Sequence, residues 1–127
     1  MRESPLPNAL QHCWLYSADG GGARKHLGGR IFDSGSKRPT SVEVLIDADH
    51  LDASAQYSAR VAYSNDGRTW SETSNAITDQ QSTGEQTGTV DLTSIWARFW
   101  QVEVSVEHST QSSTVGAELS GWLSFRP

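Results

Sequence analysis

A period of two runs through this chain and constrains its fold more than any other feature. Over residues 41–47, Val42, Val44 and Ile46 point one way, and over 56–64 Tyr57, Ala59, Val61 and Tyr63 share a face. Over 97–107, Trp100, Val102, Val104 and Val106 stand opposite Phe99, Gln101, Glu103, Ser105 and Glu107. Over 116–126, Ala117, Leu119, Leu123 and Phe125 alternate with Glu118, Ser120, Trp122 and Ser124. Successive side chains of a strand leave on opposite faces, whereas a helix repeats every 3.6 residues, and no segment here sustains that longer period. Weaker alternation occupies 12–17, 30–33, 74–78 and 87–92. Eight short segments separated by turn-rich stretches predict an all-β fold, a single antiparallel β-sandwich or jelly roll. Its strong strands have one apolar and one polar face, the pattern of a sheet that packs on a second sheet and meets water outside.

The length of 127 residues fits one domain spanning 1–127. Residues 1–11 read as an N-terminal arm, and the polar stretches 19–29 and 79–88 read as surface loops. No run approaches the ~20 apolar residues of a membrane span, and the first residues lack the apolar stretch of a secretory signal. The expected location is therefore a virion or the cytoplasm. A net charge of −5 with scattered basic residues disfavours nucleic acid. Cys13 is the sole cysteine, so neither an intrachain disulfide nor a cysteine-based metal cluster is available.

Residues with the chemistry for a site each have a plainer reading. Asp47, Asp49 and Asp52 could offer hard oxygens to calcium, but their spacing is not that of an EF-hand, and the alternative is a solvated turn. His12, His26, His50 and His108 show no metal-ligand spacing among themselves. Ser34-Gly35-Ser36-Lys37 spells a Ser-x-x-Lys pattern, yet Gly35 and Pro39 exclude the helix that this motif needs. Glu103, Glu107 and Glu118 are expected on one outer face, where a desolvated catalytic acid is hard to build. No cofactor is expected, and a small hydrolase ranks third among the functional readings.

If residues 97–107 paired antiparallel with 116–126, the alternation would select a register in which Val102 meets Gly121, Val104 meets Leu119 and Gln101 meets Trp122. Phe99 and Trp122 would then be diagonal neighbours on the outer face, with Gln101 between them and Glu103 at the rim. Such a patch invites cover by a partner.

In the run YSNDGRTW, residues 63–70, Asn65-Asp66-Gly67 is a hairpin-turn signal. This run, then LTSIWARFWQVEV over 92–104 and ELSGW over 118–122, resembles the discoidin-like C-type domains of coagulation factors. The match spans about half the chain and lacks a cysteine pair joining the ends. The hairpin is also similar to one in small β-sandwich virion proteins of tailed phages. The resemblance implies a jelly roll with Trp70, Ala97, Arg98 and Leu119 as scaffold. The leading expectation is a non-enzymatic module of a larger assembly such as a phage virion, as decoration, head or tail protein. Its partners would be other subunits or further copies of the same chain. The alternative is a carbohydrate-binding adhesion module of discoidin-like type.

Overall fold

The computed structural model describes residues 8–110 and 113–127. Among these residues ten strands form: β1 (Asn8–Tyr16), β2 (Arg24–Leu27), β3 (Phe32–Asp33), β4 (Ser41–Leu51), β5 (Ala55–Ser64), β6 (Ser71–Glu72), β7 (Ile77–Gln80), β8 (Gly84–Asp91), β9 (Phe99–His108) and β10 (Gly116–Arg126). They build two antiparallel sheets. The front sheet runs β1-β10-β4-β8, and the back sheet runs β2-β9-β5-β6 with β3 on β9 and β7 on β5. The fold is thus the expected all-β sandwich, with ten strands rather than eight.

The four segments of strong alternation become the four long strands β4, β5, β9 and β10. Their apolar faces meet between the sheets. Val42, Val44, Ile46, Val61, Trp100, Val102, Val104 and Leu119 are fully buried, and Leu123 nearly so. Burying side chains of this size stabilises by ~1.5–3 kcal/mol each before entropy is counted. Tyr57 joins this core, and burial pushes its phenol up to about 12, with the charge of Asp47 adding to the shift.

Three expectations need correction. The two stretches taken as loops each carry strand, because 24–27 pairs with β9 and 84–88 pairs with β4. Residues 8–11 of the expected arm belong to β1, and 1–7 lie outside the described residues. Most consequentially, β9 and β10 do not pair. β9 lies between β2 and β5 in the back sheet, and β10 lies between β1 and β4 in the front sheet. Alternation places each strand's apolar face inward but does not say which strand lies beside it.

The Asn65-Asp66-Gly67 run turns β5 into β6, whose Tyr63 and Ser71 are partners. Asp66 Oδ1 accepts from the backbone N–H of Arg68 (2.8 Å) and Thr69 (2.9 Å). Gly67 has φ 76°, the left-handed region that glycine enters without a Cβ penalty. The N–H donors of Thr69 and then Arg68 hold the Asp66 carboxyl below the usual range.

Candidate functional site

The centre of the back sheet's outer face is a network of charged groups that pair with one another. Arg60 on β5 reaches Glu103 on β9 through Nε and Glu72 on β6 through Nη2 (2.5 Å), and Lys25 on β2 meets Glu72 at 3.3 Å. Glu103 is only 6% exposed, and its burial pushes its carboxyl upward. Gln101 is buried as well and donates from Nε2 to the Gly28 carbonyl.

The four residues expected to meet a partner are therefore dispersed. Gln101 and Glu103 spend their polar groups inside the chain. Phe99 is half-buried on the back sheet, with the Arg98 guanidinium 5.1 Å from its ring centre. Trp122 is half-buried on β10, on the outer face of the opposite sheet, so the diagonal Phe99–Trp122 patch does not exist.

The outer face of the front sheet is different. On edge strand β1, His12, Trp14 and Tyr16 alternate with Cys13 and Leu15 and stand outward. Trp14 is 45% exposed and Tyr16 47%. Their ring centres are 6.4 Å apart and their planes lie within 20°. The imidazole of His50 stands 5.4 Å from Trp14, tilted at 53°. His50 Nε2 bonds Asp52 Oδ1 at 3.0 Å, and Asp52 Oδ2 accepts the Gly116 N–H at 2.7 Å. Gly116 faces Tyr16, and a Cβ there would come within 2.8 Å of Tyr16 Cε1. The bare glycine gives the tyrosine ring its seat.

Beside these rings, His12 bridges two carboxylates. Nε2 lies 2.5 Å from Glu118 on β10, and Nδ1 lies 2.9 Å from Asp49 at the irregular end of β4. Glu118 first, and then Asp49, raise the imidazole above its ordinary value. The three side chains also come close enough to share a cation. Each ring nitrogen faces a different carboxylate, however, which is the arrangement of an imidazolium held between two anions. Asp47, Asp49 and Asp52 do not converge as one calcium site. Asp49 turns to His12, Asp52 turns to Gly116 and His50, and Asp47 sits two residues before Asp49, opposite Ser120. The signal that could have found this face was the spacing of His12, Trp14 and Tyr16 within a segment of weak alternation.

A second feature is a cleft of about 820 Å³ whose lining includes Phe32, Trp100, Phe125, Lys37, Arg38 and Arg126. Its Asp33 is already paired with Arg98 at 2.8 Å, which lowers that carboxyl to about 2.

No family model matches the sequence, and no curated protein is similar to it. Solved structures share its fold. A structure of the Gx strain of infectious bursal disease virus aligns over 92% of this chain with a TM-score of 0.62 and 12% identity. The VP2 subviral particle of infectious bursal disease virus aligns over 92% with a TM-score of 0.61 and 12% identity. This chain spans 30% and 31% of those two chains, under a third of their length. At such identity the likeness is one of fold. The CBM22-1 xylan-binding domain of Paenibacillus barcinonensis Xyn10C aligns over 94% of this chain and 95% of its own, at 8% identity. Its TM-score of 0.35 is too low to carry an argument.

Proposed function

We propose that the chain is a non-enzymatic β-sandwich module that works by contact within a larger assembly, a virion being the assembly that fits best. The observation that carries this reading is the asymmetry of the two outer faces. The back sheet satisfies its own charges, whereas the front sheet leaves Trp14 and Tyr16 half-exposed. Large aromatics on a water-facing sheet are characteristic of contact surfaces. Trp122 stands on the same front face, so it keeps a place in the proposed contact, while Gln101 and Glu103 lose theirs. The fold shared with a subviral particle supports the reading, and so does the phage-like hairpin. The non-enzymatic part rests on chemistry. The histidine–carboxylate cluster lies open to water, where a catalytic acid is not desolvated.

The test is light scattering on the purified chain and on the particle reconstituted with its neighbouring subunits. Wild-type chain should enter a complex much heavier than 13.9 kDa. Trp122→Ala and Trp14→Ala should fold but enter it at least tenfold less well. A chain that stays monomeric with every neighbouring subunit tested would refute the reading.

A second reading, a carbohydrate-binding module, is favoured by one observation. The Trp14 and Tyr16 rings lie nearly parallel and sit among hydrogen-bonding side chains.

A further inference from the structure

We infer that the Trp14–Tyr16 strip binds a neutral oligosaccharide, with the sugar rings lying on the aromatics and hydroxyl groups bonded by Glu118 and His50. The inference rests on the carbohydrate-binding reading and assigns it a site and a ligand class.

The geometry restricts the ligand in three ways. First, the two rings are fixed before anything binds. Tyr16 is seated against Gly116, and His50 beside Trp14 is held by Asp52, which is in turn held by the Gly116 N–H. A preformed surface loses little freedom on binding. Second, the strip is apolar along its length and polar beside it. Its complement is a molecule with a C–H face and hydroxyl edges, which describes a pyranose. Third, Asp49, Asp52 and Glu118 stand around the rings. Three carboxylates against the one His12 imidazolium leave a net negative charge, which opposes sialylated and uronic-acid glycans and a phosphate headgroup.

The two half-covered rings, with centres 6.4 Å apart, offer a flat apolar platform on which sugar rings can lie. Among the described residues the other exposed large apolar side chains, Leu27, Ile31 and Trp96, stand on β2 and on the connections before β3 and β9, away from this face.

The experiment is a glycan array followed by titration calorimetry with cello-, xylo- and chito-oligosaccharides. Wild type, Trp14→Ala, Tyr16→Ala and Trp96→Ala would be compared, with circular dichroism to check folding. Neutral glycans should bind, and affinity should fall at least tenfold in Trp14→Ala and Tyr16→Ala while Trp96→Ala stays unchanged. Should a variant fail to fold, NMR on wild type decides, because added oligosaccharide should shift the Trp14 indole N–H and leave that of Trp96 in place. Neutral binding that survives both substitutions, or shifts confined to other tryptophans, overturns the assigned site and leaves the carbohydrate reading standing. Binding confined to acidic glycans overturns the ligand class. An array with no bound glycan overturns both the inference and the reading beneath it.

Discussion

Two charged side chains at the residue scale illustrate what burial does. Glu103 and His12 both sit between partners, but Glu103 is enclosed and His12 is open. An enclosed carboxylate that loses its cation has neither water nor a counter-ion, so Arg60→Ala should destabilise by about 1–3 kcal/mol, the cost of an unsatisfied buried group. Urea unfolding reads that change, and Arg60→Ala/Glu103→Gln should recover part of it. His12 at the surface contributes less because water screens it. Its signature is its titration. By NMR its midpoint should lie above the ordinary histidine value of about 6.5, and Glu118→Gln should lower it more than Asp49→Asn, since Glu118 is the larger cause. A midpoint indifferent to both substitutions would exclude the bridge. None of this was legible in sequence. Glu118 lies 106 residues from His12, and the contact exists only because β1 and β10 are neighbours.

Pairing decides at the scale of elements what alternation leaves open. The long strands were legible because six or more alternating positions fix a face, and the turn at Asn65-Asp66-Gly67 was legible because its chemistry is local. The two-residue strand β6 shows no period at all, and β2 is Arg-Lys-His-Leu, with one apolar residue and no alternation. Their hydrogen bonds to long neighbours make them strands. The supposed β9–β10 hairpin failed for a related reason. A consistent register between two amphipathic strands is satisfied equally well when they face each other across a core. Gly88 marks another contact that sequence does not show. A Cβ at this position of β8 would lie 1.9 Å from the Ala76 carbonyl oxygen, where the backbone entering β7 crosses close by. Backbone cannot swing aside as a side chain can, so Gly88→Ala should cost on the order of 1–3 kcal/mol, as overpacking does. Thermal unfolding would show it. A melting temperature equal to wild type would mean that the β7–β8 approach is looser than described.

Across the whole molecule, the shifted groups pull stability in opposite directions with pH. Asp33, Asp66, Asp91 and Glu72 are all held below their ordinary values, chiefly by hydrogen bonds that favour the charged form. Each contributes stability above the unfolded carboxyl range of about 3.9–4.3, and that contribution is lost as pH falls through the folded values, about 2 for Asp33. His12 is shifted upward, so its contribution is complete below the unfolded value of about 6.5 and disappears as pH rises through the folded value. Glu103, raised chiefly by burial, acts in the same direction as His12: the folded chain holds its proton longer, so stability falls as pH climbs through that range. The sum places maximum stability at mildly acidic pH, between about 4.5 and 6.5. The groups are mostly exposed, so the slopes are shallow and should flatten further in high salt. Melting temperature measured across pH 2–9 checks the profile. His12→Gln should lower the melting temperature below about pH 6.5 and so flatten the alkaline fall, whereas Arg98→Gln should lower it above about pH 4 and so flatten the acid fall. The alkaline fall has a local meaning too. His12 ties edge strand β1 to β10 and β4, and β1 carries Trp14 and Tyr16. Protection of the β1 amides, measured against their intrinsic exchange at each pH, should therefore fall above the His12 midpoint, while that of the β4–β10 ladder stays constant. Equal protection of β1 on both sides of that midpoint would show that the bridge does not hold the strand bearing the aromatic pair.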